Sequence, residues 1–248
     1  VAKIATEQQG NIAVVTLTNG VTNAISPELV DELSKSIREI SEEASGLLLC
    51  GGEKFFSIGF DLPALITMNR AEFSDFFYKF NALALDIYAL PFPSLSALSG
   101  HAIAGGGILA LACDFRIAAS RTGKTGLNEI RLGLPVPYLA DMILRQVVGD
   151  RVATGMLYGG GLISLTAGAE IGLVDELCPI ERLQQASLEK ISGFAFPNPR
   201  AFSAIKTNRC EAIKDAYEKN GRVKNEFFID CWFSEETQEA LLAASRKF

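Results

Sequence analysis

Three consecutive glycines, Gly105-Gly106-Gly107, head a helix-compatible run, Ile108 to Ala112, and the loop that follows carries Asn128-Glu129. Glycines at the start of a helix let a ligand approach bare backbone, where unpaired N–H groups and the positive end of the helix dipole favour negative charge. Glu129 brings a proton carrier to the same stretch of chain. An anion-stabilising backbone beside one acid/base points to chemistry in which a proton leaves and negative charge must be held.

Other chemistries find fewer residues. His101 is the single histidine, so Ser-His-Asp or Cys-His catalysis would have to use it, and it lies inside the glycine run's approach. It reads as structural. The five cysteines, Cys50, Cys113, Cys178, Cys210 and Cys231, are odd in number and widely spaced. That argues against a disulfide framework or a zinc site and for small buried hydrophobes in a reducing compartment. No metal ligand set is expected.

Composition narrows the class further. The chain has 248 residues, 48% of them hydrophobic, enough for one large core. A net charge of −6 disfavours nucleic-acid or anionic-membrane binding. No apolar run approaches the roughly 18–20 residues of a membrane span. The opening VAKIATEQQGNIAVVTLTNG lacks a secretory pattern, so the expected location is a bacterial cytoplasm or an organelle matrix.

The elements that must position these residues alternate. Asn11 to Thr18 reads as a strand, and Ser26-Pro27 as a helix start leading through Leu29, Val30, Leu33, Ile37 and Ile40. Gly46 to Cys50 reads as a buried strand, residues 51–62 as a loop, and Arg70 to Leu90 as a helix. Phe115 to Ala119 is strand-like, Tyr138 to Val148 and Arg151 to Tyr158 are helical, and Leu165 to Glu170 is a short helix. Gly172 to Leu177 reads as a strand, after which the chain is helical from Ile180, interrupted at Pro197 and Pro199. This order predicts an α/β core over residues 1–195 and a helical region over 196–248. From Arg200 to Lys224 seven basic residues face three acidic ones, which suits a solvated helix face or a local phosphate-contacting patch.

Two motifs together carry a family resemblance. Phe56-Ser57-Ile58-Gly59-Phe60-Asp61-Leu62 resembles the FxAGxDL motif of the enoyl-CoA hydratase/isomerase (crotonase) superfamily. Gly100 to Gly107 with Cys113-Asp114 resembles its GxAxGGG…CD motif, and the later NEIRLGL and GLVDEL segments are also similar. The resemblance implies a right-handed spiral of ββα units, with C-terminal helices that assemble trimers or hexamers. It implies an acyl-CoA thioester as the bound molecule, with coenzyme A part of the substrate and no other cofactor. By the same resemblance the N–H groups of Phe60 and Gly106 hold the thioester oxygen and Glu129 is the acid/base. Lys54, Ser57, Ile58, Asp61, Leu62, Gly105, Leu109 and Pro135 would then contact substrate, Lys54 through a CoA phosphate. Asp61 also reads as the cap of the next helix, and pocket walls are expected from the Phe-rich stretch 72–80 and from Phe227, Phe228 and Trp232.

Hydratases of this superfamily resemble one another in having two glutamates, one in GGGxE and one in PExxLG. Here the first position is Leu109, which cannot activate water, and only Glu129 remains. That pattern is similar to the Δ3,Δ2-enoyl-CoA isomerase subgroup. Dienoyl isomerases use a further acid eight residues past this glutamate, where this chain has Pro137. Rival readings are thioester hydrolysis or decarboxylation with the same oxyanion hole, and a silent acyl-CoA-binding relative. Gly105 to Ala110 also fits a dinucleotide fingerprint, but about 100 residues precede it and the acid follows a loop rather than a strand.

Overall fold

The computed structural model describes residues 2–120, 122–194, 196 and 198–246. In chain order the elements are β1 (Ile4–Gln9), β2 (Ile12–Leu17), α1 (Pro27–Glu43), β3 (Gly46–Cys50), β4 (Phe55–Ser57), α2 (Leu62–Leu65) and α3 (Arg70–Tyr88). They continue with β5 (Ser94–Leu98), β6 (His101–Ile103), α4 (Gly105–Ala112), β7 (Phe115–Ala119), β8 (Lys124–Gly126), a 3-10 turn (Glu129–Leu132), α5 (Tyr138–Val148) and α6 (Asp150–Gly159). The last are β9 (Ile163–Ser164), α7 (Leu165–Glu170), β10 (Glu176–Cys178), α8 (Leu183–Ser192), α9 (Pro199–Trp232) and α10 (Glu235–Ser245).

Two sheets share the work. One has the order β1-β2-β3-β5-β7-β10 and the other β4-β6-β8-β9. The pairs β3/β4, β5/β6 and β7/β8 each give one strand to each sheet, and helices separate the pairs. This is the expected ββα repeat. Neighbours from β2 through β10 in the large sheet run parallel, as do β4, β6 and β8 in the small one. Parallel strands are buried on both faces, which is why Leu47, Leu48 and Leu49 form an unbroken apolar run with no exposed surface.

Local signals start the helices. Ser26 caps α1 by accepting from the Leu29 N–H at 3.3 Å, with Pro27 in the first turn. Asn69 and Glu72 form a capping box on α3. The inner face of α3 supplies Phe73, Phe76, Phe77 and Phe80, which with Phe228 and Trp232 of α9 make an aromatic block. Phe73 stacks on Trp232 at 4.0 Å and Phe77 on Phe228 at 4.1 Å. The block fastens the C-terminal helices to the core, worth about 1.5–3 kcal/mol per buried ring from water exclusion.

Several expectations need correction. Ile4–Gln9 is an additional strand, antiparallel to β2 across Gly10-Asn11, and its polar, mostly exposed residues gave no apolar signal. Residues 172–175 are not strand. Gly172 turns at φ +76 and the Leu173 and Val174 N–H groups both donate to the Gly168 carbonyl, so only Glu176–Cys178 joins the sheet. The loop 51–62 contains the short strand β4. Pro199 does not interrupt a helix; it opens α9 one residue after the Asn198 cap. Pro197 and Ala195, at the expected boundary, lie outside the described residues.

Lys206 departs from the solvated basic stripe. It is buried, and its ammonium donates to Asp114 at 2.7 Å and to the Phe92 carbonyl at 3.1 Å. Arg200, Arg209, Lys219, Arg222 and Lys224 are exposed and Lys214 is half-buried. No helix among the described residues is long and apolar enough to cross a membrane.

Candidate active site

The first motif becomes a loop that spends nearly all its backbone donors. The Ile58 N–H donates to the Thr22 carbonyl at 3.0 Å, Gly59 N–H to Ser57 Oγ at 3.1 Å, Asp61 N–H to the Ile25 carbonyl at 3.0 Å and Leu62 N–H to the Phe60 carbonyl at 2.9 Å. Phe60 N–H has no partner among the described residues. Ser57 is fully buried, and its hydroxyl donates to the Asn23 carbonyl at 2.7 Å. The Asn23 side chain in turn donates to the carbonyls of Phe55 and Phe56. Gly59 makes the sharp turn at φ +98, where a side chain would also meet the Ile103 carbonyl at 2.9 Å.

The second motif supplies more free donors. Ile108 N–H donates to the Ala104 carbonyl at 2.9 Å and is the first in α4 to find a helical partner. The N–H groups of Gly105, Gly106 and Gly107 have none among the described residues, as expected for a first turn. Ala104, just before the helix, sits at φ 48 and ψ −122, a conformation that costs a non-glycine residue about 1–3 kcal/mol. Its N–H is tied to the Gly126 carbonyl at 2.9 Å. Gly106 packs so closely on Ser57 that any Cβ would collide with the Ser57 carbonyl oxygen. The two motif loops therefore interlock, and their free N–H groups come from adjacent backbone.

Glu129 is fixed from several directions. It opens the 3-10 turn after β8, and its carbonyl accepts from Leu134 N–H at 3.1 Å. Arg131 pins the turn to the end of α6, donating to the Gly160 carbonyl at 2.6 Å and the Gly159 carbonyl at 3.0 Å. Thr237 of α10 donates to the Gly133 carbonyl at 3.3 Å. The Glu129 side chain is 6% exposed and its Oε2 has no hydrogen-bond partner among the described residues. Burial pushes its carboxyl up to about 7, offset in part by its own backbone N–H. The adjacent Asn128 Oδ1 is also buried and unpartnered among them.

A cleft of 460 Å³ collects these groups. Its lining includes Ile58, Phe60, Leu62, Gly105, Asn128 and Glu129, roofed by Phe228, Trp232, Leu241 and Ala244 of the C-terminal helices. Glu129 is the only carboxylate in that lining among the described residues. Of the other expected site residues, Gly106 lies behind the surface against Ser57, and Ser57 braces the loop. Asp61 caps α2, accepting from Ala64 N–H at 3.3 Å, and is not in the lining. Leu109 has no exposed surface, while Ile108 reaches the cleft. Pro135 is half-buried outside the lining, between Leu134 and Pro137, which belong to it. Lys54 is exposed and outside the cleft. Phe227 is 61% exposed and does not line it, and the Phe-rich face of α3 sits behind Phe60.

His101 is half-buried, its ring stacked on Phe55 at 5.0 Å, and burial pushes its pKa down, helped by Lys124. The five cysteines are free thiols, three of them buried. Sequence reasoning missed Thr22, Asn23 and Ile25, which brace the first motif from 30 or more residues away. The only local sign was an asparagine, a residue tolerant of the φ of 47 that Asn23 adopts.

A buried carboxyl near neutrality can both take and return a proton. Unpaired backbone donors aimed at a developing oxyanion stabilise it by roughly 2.7–4 kcal/mol each. The sequence model of the enoyl-CoA hydratase/isomerase family matches residues 7–247. The chain belongs to that family.

Relatives within the family have more than one reaction in their names. Mitochondrial enoyl-CoA delta isomerase 1 of Mus musculus is 32% identical over 186 residues, covering 73% of this chain and 64% of that protein. The chain thus spans just under two thirds of the mouse relative's length. The Mycobacterium tuberculosis protein named probable enoyl-CoA hydratase EchA17 is 28% identical over 215 residues, 85% of this chain and 80% of that one. The crystal structure of human mitochondrial delta3-delta2-enoyl-CoA isomerase matches with a TM-score of 0.95, covering 99% of this chain and 98% of that chain at 25% identity. The fold is that of the crotonase superfamily.

Proposed function

We propose that this enzyme is a Δ3,Δ2-enoyl-CoA isomerase, moving the double bond of a 3-enoyl-CoA to the 2-position with Glu129 as its sole proton carrier. The observation that carries this reading is the single buried carboxylate of the cleft, raised to about 7, with apolar Leu109 where a second acid would be needed. Similarity to relatives named enoyl-CoA delta isomerase supports it. Ionised Glu129 removes a proton from carbon 2, and the charge spreads to the thioester oxygen. The N–H groups of Phe60 and Gly106 hold that oxygen. Protonated Glu129 then delivers the proton to carbon 4, leaving the conjugated thioester. No water is consumed, so one carboxylate suffices.

In this reading Ile58, Leu62 and Gly105 contact the acyl group, and exposed Lys54 meets a CoA phosphate outside the cleft. Coenzyme A enters with the substrate, and no other cofactor is invoked. The region 196–248 both roofs the cleft and presents the exposed apolar residues Ile205, Val223, Phe227 and Leu242, which suits assembly into trimers or hexamers. Light scattering would then give three or six times the chain's 26.7 kDa.

The test is conversion of trans-3-hexenoyl-CoA to its conjugated isomer, followed by absorbance. Glu129→Gln should lower the rate by roughly 10²–10⁴. An undiminished rate in that variant would remove Glu129 from the mechanism.

A further inference from the structure

We infer that the ring of Phe60, and not its backbone alone, decides which acyl thioesters the cleft accepts, excluding branches on carbons 2 to 4 in favour of straight chains. This rests on the acyl-CoA reading above, because it takes the Phe60 N–H as the partner of the thioester oxygen.

The ring has nowhere to go. It lies edge-on to Phe76 at 5.1 Å and to Phe80 at 4.9 Å, with Trp232 at 6.5 Å. Those three residues are 2%, 0% and 1% exposed, so the ring backs onto buried core. On its other side, Cδ1 and Cε1 lie 3.0 and 3.1 Å from where a Gly105 side chain would begin, flush against the first turn of α4. Rings clamped on both sides in a close-packed interior do not step aside for added volume. Phe60 is nevertheless half-buried and lines the same cleft as Glu129.

Donor and ring belong to one residue. An oxygen held by the Phe60 N–H therefore places the first carbons of the acyl chain within one side chain's reach of the ring. A methyl branch there must displace the ring or tilt the thioester. Either is an overpacking cost, which corresponds to about tenfold in affinity.

The test is isothermal titration with hexanoyl-CoA and with 2-, 3- and 4-methylpentanoyl-CoA. These saturated thioesters have equal carbon number, so apolar transfer cancels and no turnover is required. The wild type should bind hexanoyl-CoA about tenfold more tightly than at least one branched isomer. Phe60→Ala should bring that ratio near one, and Phe60→Leu, a milder truncation that keeps the site apolar, should give an intermediate ratio. Equal binding of all four by the wild type, or an unchanged ratio in a variant with native circular dichroism, overturns the role of the ring. If Phe60→Ala does not fold, Phe60→Leu decides. Failure of the wild type to bind any of the four overturns the acyl-CoA reading itself.

Discussion

Replacing Glu129 by glutamine should stabilise the protein, and by an amount that depends on pH. Burial raises the folded carboxyl from an ordinary 4.5 to about 7. Below pH 4.5 both the folded and unfolded chains hold this proton, and the side chain adds no pH dependence. Between 4.5 and 7 the unfolded chain is ionised while the folded one retains its proton, so the wild type loses stability as pH rises. Above 7 both states are ionised and the loss is complete. The shift corresponds to roughly 3 kcal/mol. The amide that replaces the carboxyl in Glu129→Gln does not ionise, so this variant escapes the loss. Urea unfolding of both proteins from pH 4 to 9 isolates the effect, because every other titrating group cancels in the difference. The variant's advantage should grow by about 3 kcal/mol between pH 4.5 and 8 and then level off. An advantage that stays flat across that range would refute the burial argument for Glu129.

Other consequences follow from the same geometry. In the proposed mechanism the free enzyme presents Glu129 as carboxylate, so kcat/KM for a 3-enoyl-CoA should rise tenfold per pH unit below 7 and level above it; an inflection near 4.5 would mean the carboxyl is hydrated. Gly106→Ala forces a Cβ into the Ser57 carbonyl, so it should separate the two motif loops and cost roughly 10²–10³ in turnover, measured with the folded state checked by circular dichroism. Ser57→Ala leaves the Asn23 carbonyl and the Gly59 N–H unpartnered in a fully buried site, lowering stability by about 1–3 kcal/mol in chemical unfolding.

Much of this site was legible in the residues because its loops are shaped by what the backbone requires. Gly105-Gly106-Gly107 signals a helix start and a close approach to bare backbone, and in the structure Gly106 makes such an approach to Ser57. Glu129 was legible only beside those glycines, since nothing in the residues around it announces that Arg131 and Thr237 will hold its turn. The continuous apolar run of β3 gave away its burial. The outer strand β1 did not, because an edge strand facing water carries no apolar run. Leu173 and Val174 read as strand but are buried by a turn, and an apolar pair looks the same in either setting. Thr22, Asn23 and Ile25 were hidden for a different reason. They act largely through backbone carbonyls and N–H groups, which leave little mark on residue type.

The cleft's single acid can be tested by giving the enzyme two substrates of one chain length, trans-3-hexenoyl-CoA and trans-2-hexenoyl-CoA, and comparing kcat/KM for isomerisation with kcat/KM for hydration. With Glu129 the one carboxylate lining the cleft among the described residues, isomerisation should exceed hydration by roughly 10² or more, the contribution of one general acid/base. Hydration equal to or faster than isomerisation would contradict the one-acid mechanism.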